Sequence, residues 1–130
     1  MNRQRGAEKI NVLVKDELAA VETYRLAMEK FGVLTGFEEL RRIENDHERA
    51  AALLQAEVAE RGVEPVTNSR IWRFASFKTL KRREKHAIRH YERALEDRDV
   101  DGPIKALISS QLLPSTRGHL FVLDGYLHGP

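Results

Sequence analysis

The sequence predicts an all-α fold, an antiparallel four-helix bundle made of two pseudo-repeated helical hairpins joined by a crossover. Three observations carry this. Ala, Glu, Leu and Arg dominate, all strong helix formers, while Val and Ile are scattered rather than alternating. Four segments place apolar residues at three-four spacing, the signature of one buried helix face. Finally, one segment recurs later in the chain.

The first helix is expected from about Ala7 to Phe31. Its stripe is Ile10, Leu13, Glu17, Val21, Tyr24, Met28 and Phe31, and Gly32 ends it. The second is expected from about Phe37 to Arg61, between Gly36 and Gly62. Its stripe is Phe37, Leu40, Glu44, His47, Ala51, Leu54 and Val58. Residues 63–69 read as a loop, with Pro65 and Asn68 as breakers. The third stripe is Phe77, Glu84, Ile88, Tyr91 and Leu95. Residues 69–80 read either as a separate short helix or as the start of that third helix. Asp101-Gly102-Pro103 breaks the chain, and Pro103 suits the first turn of a fourth helix reaching about Leu127. The fourth stripe is Ile108, Leu112, Thr116, His119, Leu123 and Tyr126. Pro114 lies inside it and should kink or split the helix, because it has no N–H to donate.

The repeat joins Glu17-Leu-Ala-Ala-Val-Glu-Thr-Tyr24-Arg-Leu-Ala-Met-Glu29 to Glu84-Lys-His-Ala-Ile-Arg-His-Tyr91-Glu-Arg-Ala-Leu-Glu96. Residues 40–47 and 112–119 match more weakly, with Leu first and His last in both. Two hairpins of about residues 7–62 and 82–128, with a crossover of about 63–82, make one domain spanning 1–130.

Composition narrows the function classes. A chain of 130 residues with 42% apolar side chains suits one core. It contains no Cys, which excludes disulfides, thiolate metal sites and cysteine nucleophiles. Residues 1–6 are polar and basic without an apolar signal segment, and no stretch nears the ~18 apolar residues of a membrane span. A cytoplasmic protein is the expectation. A net charge of +2, from 22 basic and 20 acidic residues, is too even for a global nucleic-acid footprint. Catalytic triads, phosphate loops and dinucleotide motifs are absent from the sequence.

The chemistry lies in the polar residues that interrupt the stripes. Glu17, Glu44, His47, Glu84 and His119 all occupy core positions. An unpartnered buried carboxylate costs several kcal/mol or more, so five such residues on four helices imply a shared purpose. Glu44-Asn-Asp-His47 is a Glu-x-x-His motif, whose two side chains share a helix face. Carboxylates and imidazoles without thiolate suit iron, manganese or zinc.

Asp16-Glu17-Leu-Ala-Ala-Val-Glu-Thr-Tyr24 followed by Glu44-x-x-His47 resembles the first hairpin of bacterioferritins and rubrerythrins. Glu84 and His119 resemble their second. The overall brevity is closer still to small uncharacterised ferritin-like proteins of bacteria. The resemblance implies a di-iron carboxylate site: one Glu from each of two helices, here Glu17 and Glu84, and Glu-x-x-His from the other two, here Glu44 with His47. His119 would be the histidine of the second pair. The resemblance also implies iron or manganese as cofactor and a redox or iron-handling role. The chain departs from the pattern at Thr116, where the second pair should have Glu. A mononuclear site, a weak dinuclear site and a lapsed site all follow from that. The alternative is a non-enzymatic bundle, a stress or assembly protein, whose polar core is inherited without its metal.

Tyr24 and Tyr91 read as core packing with hydroxyls on buried carboxylates, or as groups standing behind a metal together with Thr116. His86 and His90 read as surface or rim residues. The run Arg70, Arg73, Lys78, Lys81, Arg82, Arg83 and Lys85, with Trp72, Phe74 and Phe77 interleaved, is the one place for nucleic acid or a membrane surface. A crossover whose aromatics pack on the bundle is the preferred reading of it. Metal ions and a second copy in a homo-oligomer are the partners expected.

Overall fold

The structure, a computed structural model, describes residues 3–31, 37–69 and 76–128. Every regular element among them is helical: α1 (Arg3–Phe31), α2 (Phe37–Glu60), α3 (Phe77–Glu96), α4 (Gly102–Leu107), a π-helical turn (Ile108–Leu112) and α5 (Leu113–His128). The last three run on from one another, so the chain forms a bundle of four long helical segments. The helix breaks expected at Gly32 and Gly36 lie outside the described residues. So do Arg70, Ile71, Trp72, Arg73 and Phe74, the centre of the basic and aromatic run.

Local chemistry accounts for the ends. Gly62 follows α2 with φ 77°, the left-handed conformation that only glycine adopts without strain. The Arg61 guanidinium then reaches Asp101 at 2.5 and 3.0 Å, tying the end of α2 to the start of α4. Asp101 also caps α4, its carboxylate accepting from the Ile104 N–H at 3.2 Å with Pro103 in the first turn. Ser76 caps α3 by accepting from the Thr79 N–H at 3.2 Å. The third helix therefore begins at Phe77, several residues before the crossover boundary read from the sequence, and Glu84 lies well inside it.

Pro114 splits the fourth segment as its chemistry requires. It can donate no hydrogen bond to the turn before it. The chain responds by widening: residues 108–112 form the π turn, and the Leu113 N–H reaches back five residues to the Ile108 carbonyl. Such an insertion rotates everything downstream by roughly a quarter turn. This sets the direction in which Thr116 and His119 face.

Packing joins α1 to α2 and α3 to α5 most closely, with α1 also against α3. Two apolar clusters result. One gathers Ile10 and Val14 of α1, Leu54 and Val58 of α2, Ala94 of α3, and Ile104 and Ile108. The other gathers Tyr24 and Met28 of α1, Leu40 and Ile43 of α2, Leu80 of α3 and Leu123 of α5. The polar core residues occupy the bundle between them.

Gly6 tests how closely the first cluster is closed. It is buried, and a Cβ built there would stand 2.3 Å from the Asp99 carbonyl oxygen. Gly-to-Ala within a helix normally gains about 1 kcal/mol. Here the overlap with backbone forces α1 away from the 97–101 turn, a shift of the kind that costs about 1–3 kcal/mol. The clash should win. Gly6→Ala is expected to melt several degrees below the wild type when unfolding is followed by circular dichroism; an unchanged or higher midpoint would show that the contact is slack.

Candidate metal centre

Four of the five sequence candidates, Glu17, His47, Glu84 and His119, form one hydrogen-bonded chain across four helices. His47 of α2 is at its middle. Its Nδ1 lies 2.5 Å from Glu17 Oε2 on α1, and its Nε2 lies 2.8 Å from Glu84 Oε2 on α3. His119 of α5 places Nδ1 3.0 Å from Glu84 Oε1. Its Nε2 lies 2.8 Å from Asp46 Oδ2 on α2. Both oxygens of Glu84 are thus engaged by imidazole. All four residues are buried, Glu84 completely.

The repeated tyrosines cross over. The Tyr24 hydroxyl donates to Glu84 at 2.8 Å, and the Tyr91 hydroxyl donates to Glu17 at 2.5 Å. Each copy of the repeat therefore satisfies the carboxylate of the other. Burial, together with the neighbouring Glu84, holds the Tyr24 hydroxyl well above its ordinary pKa, and burial with Glu17 does the same for Tyr91. Both remain donors across the biological pH range.

Glu44 and Thr116 sit apart from this chain. The Glu44 carboxylate receives the Arg25 Nε at 2.8 Å, and the same guanidinium bridges to Glu22 at 2.7 Å and Glu48 at 2.8 Å. Glu44 is buried, but its charge is engaged at the rim of the bundle. Thr116 is buried and donates to its own helix at the Leu112 carbonyl, 2.8 Å away. The residue the stripes did not single out is Asp46. It precedes His47 by one position and so lies off the core face, yet its carboxylate reaches across to His119. The one signal in the sequence was an acidic residue beside a core histidine.

These contacts have a consequence for charge. A neutral imidazole has one N–H and one lone pair. His47 and His119 each face a carboxylate with both nitrogens. Each ring must carry two protons, accept a proton from a facing carboxyl, or turn one lone pair toward a cation. Glu17 and Asp46 hold the outer nitrogens of the two rings, as carboxylates commonly do behind metal-bound histidines. The inner nitrogens, His47 Nε2 and His119 Nδ1, then converge on Glu84. Ligating atoms of His47, Glu84 and His119 all lie within 4.8 Å of one another. A tetrahedral ion at ~2.1 Å from each donor needs them ~3.4 Å apart, a spacing inside that 4.8 Å span. The residues present therefore fit one divalent ion.

A cleft of about 80 Å³ opens beside the cluster, with Glu17, Asp46, His47, Leu53, Gln111 and His119 among its walls. That is room for a few water molecules. The π turn contributes Gln111 to its wall, and Gln111 is exposed, so the cleft meets solvent. A site with three protein donors and solvent on one side can take a water or a small molecule as further ligand.

Without an ion, the cluster's stability is set by proton charge. Burial alone would lower the His47 imidazole, but Glu84 and Glu17 on either side outweigh it and hold it well above its ordinary 6.5. Burial alone would raise Glu84, but His47 and His119 outweigh it and bring its carboxyl to about 2, below its ordinary 4.5. A carboxyl lowered on folding stabilises above its unfolded value and loses that contribution as pH falls through its folded one. A histidine raised on folding stabilises below its unfolded value and loses that contribution as pH rises through its folded one. In chelator, Glu84→Gln should lose about 3 kcal/mol at neutral pH, since it strips a buried charge from its partners. Urea titrations should show the gap from wild type shrinking as pH drops from 4.5 toward 2. A gap independent of pH over that range would mean that Glu84 is not held ionised by the two imidazoles.

Comparison of this chain with protein-family models, with curated proteins and with solved structures finds no match.

Proposed function

We propose that this chain is a ferritin-like metalloprotein, an antiparallel bundle that holds one divalent iron or manganese ion at His47, Glu84 and His119 for redox or iron-handling work. The single observation that carries the proposal is the convergence of two imidazole nitrogens, each clamped from behind by a carboxylate, on one fully buried carboxylate beside a solvent cleft. Two histidines and one carboxylate with open positions form the donor set of many Fe(II) sites, and the absence of thiolate turns it away from Cu(I) and iron–sulfur clusters. The bound ion would supply redox or Lewis-acid chemistry to a small molecule entering the cleft. The protein's own part is to orient both rings through Glu17 and Asp46, to lend Tyr24 as a donor to Glu84, and to keep the inner face of the site dry.

The crossed repeat supports the ferritin-like reading, with Glu17 and Glu84 in equivalent places on α1 and α3. One ion rather than two follows from Thr116 and from Arg25. Thr116 offers no carboxylate, and Arg25 occupies the one that Glu44 would bring.

Metal analysis of protein purified without chelator, followed by optical titration with Fe(II) in air, tests the proposal. Near-stoichiometric iron or manganese is expected, falling at least tenfold in His47→Ala and in Glu84→Ala. Glu44→Ala should keep its metal. If Glu44→Ala loses it as fully as His47→Ala does, the ion sits on the Glu-x-x-His pair and the one-ion arrangement is wrong. Protein that stays metal-free and inert toward Fe(II) and Mn(II) overturns the reading altogether.

One observation favours a second reading. Every polar side chain of the cluster already has a protein partner without an ion. A non-enzymatic bundle with a lapsed site would look the same. It predicts a melting temperature indifferent to chelator and to added metal. A ligand at a thousand times its Kd adds about 4 kcal/mol, which a melt would register plainly.

A further inference from the structure

A second group of ligating side chains lies on the outer face of the α1–α3 seam. His86 and His90 are four residues apart on α3, on one helix face. Their rings stand 4.1 Å apart, centre to centre. Asp16 of α1 faces both: one of its oxygens contacts His90 Nδ1, and the other lies 3.7 Å from His86 Nε2. Ligating atoms of all three fall within 4.8 Å of one another. His86 and His90, like His47 and His119, thus share a carboxylate.

We propose that Asp16, His86 and His90 form a second, surface metal site, which takes a divalent ion of the zinc, nickel and copper group. Two imidazoles and one carboxylate suit those ions, whereas calcium and magnesium prefer sites built wholly of oxygen. The helix fixes the spacing of the two rings before any ion arrives, and α1 supplies the third donor. The side chains are 43%, 20% and 17% exposed for His86, His90 and Asp16, so the ion would keep water on its remaining positions. Arg83 and Arg89 flank His86, which makes the neighbourhood positive and keeps the affinity moderate.

The site shares backbone with the core cluster but none of its ligands. Asp16 precedes Glu17 on α1, and His90 precedes Tyr91 on α3. Those two neighbours are the hydrogen-bonded pair behind His47. An ion at the surface site would join α1 to α3 one residue outward from the Tyr91–Glu17 bond. Its occupancy is therefore read as extra resistance to unfolding as well as binding.

Calorimetric titration of the full chain with Zn²⁺, alongside melts with and without Zn²⁺, tests this. His86→Gln/His90→Gln and Asp16→Asn are compared with wild type, and His47→Gln marks the core. One equivalent of Zn²⁺ is expected to weaken at least tenfold in His86→Gln/His90→Gln and in Asp16→Asn while surviving in His47→Gln. The Zn²⁺-induced rise in melting temperature should shrink with it. Loss of core binding alone leaves this equivalent in place, so failure of the core proposal and failure of this one are separable. Wild type that binds no Zn²⁺, or whose Zn²⁺ binding is the same in the double variant and in Asp16→Asn, overturns the surface site.

Discussion

The Glu84 carboxylate is the constraint on which the rest depends. It is wholly buried, and no water reaches it to repay its desolvation. Its two oxygens are met instead by Tyr24 from α1, His47 from α2 and His119 from α5. One group on α3 thereby sets the rotation of the three other helices. Sliding any of them by a turn would leave a buried charge or an imidazole without its partner, a loss of several kcal/mol in a fold whose whole margin is about 5–15. Apolar clusters on either side can tolerate small shifts in packing; this layer cannot.

The layer is nearly, but not fully, symmetric. Tyr24 serves Glu84 and Tyr91 serves Glu17, as a duplicated hairpin would have them do. The histidines break the symmetry. His47 bridges both repeat carboxylates, whereas His119 bridges Glu84 and Asp46. The asymmetry traces to helix 2 and its counterpart. Glu44 pairs with Arg25, and Thr116, at the matching place in the repeat, bonds to its own backbone. Neither Glu44 nor Thr116 therefore brings a carboxylate to the centre, where Glu17, Glu84 and Asp46 face the two rings.

Much of this was legible in the sequence, and the limits have a physical cause. Periodicity reports which face of a helix is buried, so the stripes found the four helical segments and placed Glu17, His47, Glu84 and His119 in the core. The repeat found the tyrosines, and Pro114 announced the split in the fourth segment. Periodicity does not report which partner a side chain meets. Arg25 follows Tyr24 by one position, on the edge of the core face, and its length lets it take Glu44 from outside. Asp46 is likewise one step off the face, yet its carboxylate reaches His119 of another helix. His86 and His90 did lie on the rim as their register suggests, but nothing along α3 shows that Asp16 of another helix stands opposite. The width of the turn at 108–112 was also hidden, because proline requires a missing hydrogen bond without dictating how the chain absorbs it.

The cleft bears on whether the polar layer only holds the bundle together. Hydrogen bonds among charged groups strengthen as water is excluded, so a layer selected for stability alone would be sealed. Here the wall is thinned where it faces the two imidazoles. The π turn, a feature that disturbs a helix and recurs at functional sites, borders that opening, and exposed Gln111 stands in it beside Asp46 and His119. Admitting solvent there raises the local dielectric and weakens the bonds that Glu17 and Asp46 make to the rings. That loss of stability is understandable if the ring nitrogens must exchange what they bind. The opening lies against the histidines and not against the tyrosines, so the bundle is more open beside the rings than beside the hydroxyls that hold Glu17 and Glu84.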